Sequence, residues 1–363
     1  MGHGLEEYRF ISSKGSAIME RVILGKTGIE AVRLGFGGIP IQRLGEREAV
    51  EVVRYAVEKG MDFIDTSRMY TTSETRIGKA LRETDRAVTL ATKSWSRTSD
   101  GIQKDIDISL RELGREYIDI YQCHGISSLD DYRLVTAPGG ALDGLRRAKE
   151  RGVIGHIGVT SHSLDVLGTI LDDGLFETLM VCYSFLEPAA GDTIIPRALE
   201  KGVGVLAMKP FSGGVIEAPE TAMKWILGRS GILVLAGVED KGLIDQNWRV
   251  FEGDRTLTET DLALIESIRR EFDRKFCRRC DYCLPCPEGI PIQMVLGARS
   301  FIKRMGSGIL ENPMVAETWK KASRCTACGE CMTRCPYGLP IPDMIRENVE
   351  WMDALQRGAA RPD

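Results

Sequence analysis

Eight of the ten cysteines in this 363-residue sequence lie between Cys277 and Cys335, in two sets with the same punctuation: Cys277, Cys280, Cys283 and Cys286 before Pro287, then Cys325, Cys328, Cys331 and Cys335 before Pro336. Three cysteines at that pitch let one loop wrap a cube of iron and sulfide, offering thiolates to three corners while the fourth comes from elsewhere. Structural zinc sites draw two ligands from each of two separated knuckles, so a tight triplet would leave thiolates idle. The spacing therefore points to iron–sulfur chemistry. A second group with chemical potential lies far upstream: Asp65, Tyr70, Lys93 and His124. Each follows or closes a short apolar run. A lysine beside an aspartate would favour the ionised form of a neighbouring phenol and make it a usable acid.

Those residues need a frame. From about residue 20 to 255, β-branched runs alternate with amphipathic stretches, the pattern of successive parallel βα units. The strand candidates are 34–38, 63–65, 88–93, 118–124, 154–160, 179–184, 203–209 and 232–237. In the first helix Ala49, Val50, Val53, Ala56 and Val57 recur at helical spacing and Lys59–Gly60 supply the stop. Eight units fit a closed (β/α)8 TIM barrel, an α/β fold. LGFGGIPIQRLG lacks the GxGxxG of an open nucleotide-binding sheet. In such a barrel Asp65, Tyr70, Lys93 and His124 meet at the C-terminal mouth. A hairpin over 20–34, turning at Lys26-Thr27-Gly28, is expected to plug the floor. Thr258 and Asp261 form a capping-box-like start for a helix ending near Phe272.

The expected organisation is an N-terminal extension (1–18), set aside from the fold, then the barrel (19–256) and a connecting helix (257–275). A small, mostly helical iron–sulfur domain (276–345) and a C-terminal helix or tail (346–363) follow. Net charge is −4, which supplies no global field for nucleic acid or an anionic membrane. No apolar run approaches the roughly 20 residues that span a bilayer. No secretion signal opens the chain, so a cytoplasmic location is expected. Clustered cysteines also suit a reducing compartment. Cys123 and Cys182 sit in apolar strand patterns and read as core, while His3, His156 and His162 take no part in the reading.

FIDTSRMYTTSE (63–74), ATKSW (91–95) and YIDIYQCH (117–124) resemble the aldo-keto reductase signatures in order and separation. LGKTGIEAVRLGFGG (24–38), RGVIGHIGVTSHS (151–163) and GVGVLAMKPFSGG (202–214) extend the likeness over nearly the whole barrel. The resemblance implies reduction of an aldehyde or ketone by a nicotinamide. Tyr70 would be the proton donor, Lys93 and Asp65 would tune it, and His124 would orient the carbonyl oxygen. It also implies cofactor contacts at Gly38 and Ile39, and amide contacts at Thr160 and Ser161. Met208 stands in place of a stacking tyrosine, and Lys209, Pro210, Phe211, Gly213 and Gly214 form a pyrophosphate-covering segment. Asn247 falls on the adenine side. Gly237 and Leu243 occupy positions where NADP-preferring relatives place basic residues, and Glu239 and Asp240 add negative charge, which leans toward NADH over NADPH.

The cysteine module is similar to the two-cluster bacterial ferredoxin type, with a longer spacer and one residue fewer before Cys286. CPEGIPI (286–292) returns as CPYGLPI (335–341), 49 residues on, an internal duplication. In such modules the cysteine before proline serves the other cluster. The resemblance thus implies two [4Fe-4S] clusters, one on Cys277, Cys280, Cys283 and Cys335, the other on Cys325, Cys328, Cys331 and Cys286. A single cluster stays open as the alternative. Arg278, Arg279, Arg324 and Arg334 flank the ligands and would stabilise an anionic cluster or dock an acidic electron-transfer protein. The expected partners are a small-molecule carbonyl substrate and such a carrier. The clusters would transfer electrons, sense redox state or brace the fold. A non-catalytic redox sensor or a ferredoxin-like carrier is the alternative to the reductase.

Overall fold

The structure is a computed structural model that describes residues 19–305 and 307–358. The expected extension 1–18, including His3, and the last five residues of the tail lie outside the described residues. Eight parallel strands close into a barrel in sequential order, Leu34–Gly37, Phe63–Asp65, Thr89–Ser94, Ile118–Cys123, Ile154–Ser161, Thr178–Cys182, Gly204–Met208 and Ile232–Gly237. They are called barrel strands one to eight below. Closure is direct: Val234 to Gly237 pair in register with Leu34 to Gly37. The predicted strands lie within a residue or two of these bounds.

The helix Glu46–Lys59 shows why the sequence wraps in this way. Its buried face carries Ala49, Val50, Val53, Ala56 and Val57, and Gly60, at φ 119°, ends it with a backbone conformation that glycine alone adopts readily. The hairpin Arg21–Ile23 with Glu30–Val32 lies below the barrel. Lys26 N–H donates to Gly202 O at 2.7 Å, and Val22, Leu24 and Ala31 join Phe63, Ala91, Ile120, Met180, Leu206 and Leu233 in an apolar plug.

A strand places residues i and i+2 on the same face. The layer above that plug is therefore Asp65, Lys93, Gln122, Cys182 and Met208, each two residues beyond a plug member. The floor of the mouth is polar on strands two to four, at Asp65, Lys93 and Gln122.

The helix Glu259–Phe272 starts with the expected capping box, Thr258 Oγ1 accepting from Asp261 N–H and the Asp261 carboxylate from Thr258 N–H. Its Asp261 also accepts from Thr221 Oγ1 at 2.7 Å and Lys224 Nζ at 2.9 Å, so the helix is bound to the barrel wall. The C-terminal module has its own core, including Ile290, Ile292, Val295, Ile302, Trp319 and Ile341. The last helix, Ile341–Gln356, runs through the boundary expected at 345/346, because Ile341, Ile345 and Met352 recur along one buried face.

The module sits on the barrel mouth. Phe276 packs with Phe185, Leu186, Ile216, Ala222 and Ile265. Ser300 Oγ donates to Gly213 O at 2.7 Å, and Tyr282 bonds the Asp165 carboxylate. On the opposite side Gln42 Nε2 lies 3.1 Å from Met305 Sδ. Among the described residues no helix is long and apolar enough to cross a membrane.

Candidate functional site

Three successive strands and one loop bring the four expected mouth residues together. Lys93 Nζ, at the top of strand three, donates to Asp65 Oδ2 of strand two at 2.5 Å and to Thr66 O at 2.8 Å. It lies 5.0 Å from the centroid of the Tyr70 ring. The Tyr70 and His124 rings meet edge to face, centroids 6.1 Å apart. Trp95 closes on the other side of His124 at 5.5 Å, also edge to face. Asp65 and Lys93 are buried, whereas Tyr70 and His124 reach solvent in part.

The electrostatics follow from that packing. Burial works against the Lys93 ammonium, but the Asp65 carboxylate and the hydrogen-bonded Tyr70 phenol outweigh it and hold Lys93 above its usual value. Burial pushes Asp65 upward against the pull of Lys93, and Gln122 Nε2 donates to its other oxygen at 3.1 Å. The pair is best described as a salt bridge, because a buried ammonium and carboxylate 2.5 Å apart each offset part of the other's desolvation. Burial, Lys93, Arg97 and Lys209 together press His124 well below the ordinary imidazole value. The ring is neutral, with Nδ1 3.1 Å from Ser67 Oγ.

The loop carrying Tyr70 is tied down from beneath. Glu74, buried in the first turn of the following helix, accepts from Thr92 Oγ1 at 2.7 Å and Ser109 Oγ at 2.8 Å, and bonds Arg68. Arg68 N–H in turn donates to Lys93 O at 3.1 Å. The phenol and the ammonium are therefore held by one network.

The residues expected to hold the dinucleotide divide into two groups. Lys209, Ser212, Gly213 and Gly214 have φ of 61°, 48°, 74° and 91°, a left-handed turn after strand seven closed on itself by Ser212 N–H to Lys209 O at 2.8 Å and Gly214 N–H to Phe211 O at 2.9 Å. A Cβ at Gly214 would meet nothing within 4 Å, so its glycine serves backbone shape rather than packing. Met208 is half-buried beside this turn, Pro210 is buried, Phe211 packs against the core, and Asn247 is buried in the helix Lys241–Glu252. Thr160 Oγ1 accepts from Gly125 N–H at 2.8 Å and keeps its own proton to donate. Ser161 differs from its expected role. Its hydroxyl donates to Ile126 O at 2.6 Å and accepts from Ser163 N–H at 3.0 Å, so it builds the loops rather than facing a ligand. Gly38 is buried as well. A Cβ there would stand 2.8 Å from Ser73 Oγ and 3.0 Å from Asp65 O, so close packing against strand two and the helix that follows it explains this glycine, and Ile39 beside it is only half-buried.

The cysteines line two cavities in the module. One is walled by Cys277, Cys280, Cys283 and Cys335, with Tyr337 and Leu339. The other is walled by Cys286, Cys325, Cys328 and Cys331, with Ile290 and Ile345. Among the described residues no three His, Cys, Asp or Glu side chains converge on a single-ion position. Four thiols around an apolar hollow form the donor set that a cube of iron and sulfide needs. Burial pushes the Cys277 thiol up to about 11 and Cys283 up to about 12, with Cys280 raising both. An occupant that supplies positive charge would reverse this. The first cavity adjoins the barrel through Arg279 and Tyr282, and the second carries the exposed Cys328.

The sequence model of the aldo/keto reductase family matches residues 33–221, just over half of the chain. The chain belongs to the aldo/keto reductase family. A 4Fe-4S dicluster domain matches residues 276–340, so this aldo/keto reductase carries an iron–sulfur module. Among curated relatives, L-galactose dehydrogenase of Arabidopsis thaliana is 32% identical over 214 residues, covering 53% of this chain and 66% of that protein. Aldo-keto reductase YhdN of Bacillus subtilis is 26% identical over 222 residues, covering 56% of this chain and 65% of that protein. The chain thus spans just under two thirds of the length of these two relatives. Among solved structures, aldo-keto reductase AKR11C1 from Bacillus halodurans superposes with a TM-score of 0.60 at 22% identity, covering 69% of this chain and 96% of that one. That likeness concerns the fold.

Within this family member, several residues that shape the mouth had no strong sequence signal. Gln122 was readable in principle, two positions before His124 and so on the same strand face. Ser67 and Glu74 have the local sequence of a loop serine and an ordinary helix-start acid. Arg97, bonded to Asp131 at 2.6 and 2.9 Å and to His124 O at 3.0 Å, fixes the histidine's backbone from outside the signatures. His162 Nε2 lies 2.9 Å from Lys209 Nζ, and Cys182, expected as core, is buried but faces the mouth layer.

Proposed function

We propose that this chain reduces an aldehyde or ketone, with Tyr70 as the general acid, Lys93 and Asp65 as its electrostatic support, and His124 as the group that orients the carbonyl oxygen. A bound nicotinamide would supply hydride to the carbonyl carbon. The observation that carries the reading is the contact of the Lys93 ammonium with the Tyr70 ring at 5.0 Å while the same ammonium is anchored on Asp65. That charge favours the phenolate left when Tyr70 gives its proton to the carbonyl oxygen. The neutral His124 has an N–H to offer the same oxygen and no positive charge to compete for the phenolate. Trp95, 53% exposed, and Met69, 47% exposed, give the substrate an apolar rim.

Thr160 would bind the nicotinamide amide, Met208 would lie against the ring, the 209–214 turn would hold the pyrophosphate, and Asn247 would face the adenine side. NADH is preferred in this reading, because Gly237 and Leu243 offer no basic group to a 2′-phosphate and Asp240 adds negative charge nearby. Two [4Fe-4S] clusters fit the two four-cysteine hollows and would carry single electrons. Their ligands are Cys277, Cys280, Cys283 and Cys335 for one and Cys325, Cys328, Cys331 and Cys286 for the other. A location in a reducing compartment follows from the same thiols.

The test is turnover by anaerobically purified protein with NADH or NADPH against a panel of aldehydes, ketones and aldose sugars. Oxidation of the dinucleotide that depends on the carbonyl and is lost in Tyr70→Phe supports the proposal. Turnover unchanged by Tyr70→Phe overturns it.

A further inference from the structure

Arg279 stands between two cluster-facing cysteines, yet its side chain belongs to the barrel. Its backbone φ is 59°, a conformation rare for a bulky residue, so its surroundings must hold it there. The main-chain N–H points to Cys277 Sγ at 3.4 Å, and Nη1 donates to Cys277 O at 3.3 Å. Nη2 donates to both oxygens of Glu187, at 2.9 and 3.0 Å, and lies 3.9 Å from Cys182 Sγ. Both members of the ion pair are largely buried, with side-chain exposures of 13% and 7%.

Glu187 leads onward. Its N–H donates to Ser184 Oγ at 3.2 Å, and Ser184 Oγ lies 2.7 Å from Ser212 Oγ. Ser212 N–H donates to Lys209 O at 2.8 Å, within the left-handed turn after strand seven. Cys182 pairs in register with Met208, and Tyr183 N–H donates to Met208 O at 3.1 Å. An unbroken series of contacts therefore runs from the first thiol set to Met208 and Lys209. A buried carboxylate without its cation is costly, so losing Arg279 would release Glu187 from this position.

We propose that Arg279 is a positioning residue for the dinucleotide. With the first cysteine set loaded, it fixes Glu187 and, through Ser184 and Ser212, the turn carrying Met208 and Lys209. Dinucleotide affinity then depends on the first set and not on the second. This rests on the dinucleotide-binding reading above and adds to it a coupling between module and barrel.

The experiment is NADH titration by fluorescence of the loaded full-length protein, with iron quantified for every variant. Arg279→Ala is expected to raise the NADH Kd about tenfold at unchanged iron content, with kcat at saturating NADH within about twofold. Arg279→Lys restores part of the affinity, since an ammonium can meet Glu187 but cannot at the same time make the Nη1 bond to Cys277 O. Glu187→Gln, which keeps shape and loses charge, raises Kd to a similar extent, and the double variant is no worse than either single one. Cys277→Ser raises Kd while Cys331→Ser does not. Unchanged affinity in Arg279→Ala and Glu187→Gln with iron intact overturns the inference, as does an equal loss from Cys277→Ser and Cys331→Ser. If Arg279→Ala fails to fold, Glu187→Gln and Arg279→Lys decide. A loaded wild type that binds neither NADH nor NADPH removes the dinucleotide reading itself, whereas NADH binding indifferent to Arg279 removes this inference alone.

Discussion

Lys93 Nζ lies 2.5 Å from Asp65 Oδ2 across neighbouring barrel strands, with 2% and 6% of the two side chains exposed. Removing one partner leaves the other buried and uncompensated. Lys93→Met is expected to cost about 3–5 kcal/mol of stability, and Lys93→Met with Asp65→Leu to recover most of it without activity. Denaturant unfolding of the three proteins checks this, and a double variant as unstable as the single one would contradict it.

In the proposed reaction Tyr70 would supply only its hydroxyl, since its ring packs against Lys93 and His124 in either form. Tyr70→Phe should therefore lower kcat by about 10²–10⁴-fold with NADH affinity within about twofold. Steady-state kinetics beside a fluorescence titration separates the two effects.

His124 is held well below its ordinary value by burial and by Lys93, Arg97 and Lys209. Its proton is already absent where an exposed histidine would be losing it. The carbonyl-reduction rate should show no step near about pH 6.5, where a free imidazole titrates. A clear inflection there that disappears in His124→Gln would refute the neutral-ring assignment.

Cys335 shares a cavity with Cys277 rather than with Cys331, which is only four residues away in sequence but lines the other hollow. Loaded protein should hold about eight irons, and Cys277→Ala and Cys335→Ala should each fall to about four. Combining those two should remove no more, while Cys335→Ala with Cys331→Ala should strip both clusters. Iron and sulfide analysis with electron paramagnetic resonance reads the difference.

Asp261 is kept below the usual carboxylate range. Burial opposes this, but bonds from Thr221, Thr258 and Lys224 outweigh it. A depressed carboxyl stabilises the fold above its unfolded value of about pH 4, and that contribution is lost as pH falls through the folded value. Asp261→Asn should cost about 1–2 kcal/mol at neutral pH and leave stability less dependent on acid below about pH 4. Thermal unfolding at a series of pH values measures both.

The barrel was legible because short apolar runs such as Phe63–Asp65 and Ile118–Cys123 alternate with amphipathic helices and carry polar residues near their ends that share a layer. The mouth residues were legible for the same reason, lying one layer above Phe63, Ala91 and Ile120. Glu74 was not, since nothing local distinguishes an acid stabilising a helix start from one buried under three donors. Nor was Ser161, whose direction depends on where Ile126 O lies, a contact 35 residues away. Arg279 looked like a counter-charge for its own cysteines. Its bond to Glu187 spans 92 residues and no periodicity announces it. The start of the helix at Thr258 was readable, because a capping box is entirely local.

The crossed distribution of cysteines also gives the module a mechanical property. Each hollow takes ligands from both sides of the stretch 287–324, so loaded clusters would staple the two flanking segments together twice. A protease cut within that stretch would leave the fragments bound under native conditions, and a chelator would release them, much as a reductant frees a chain nicked inside a disulfide loop.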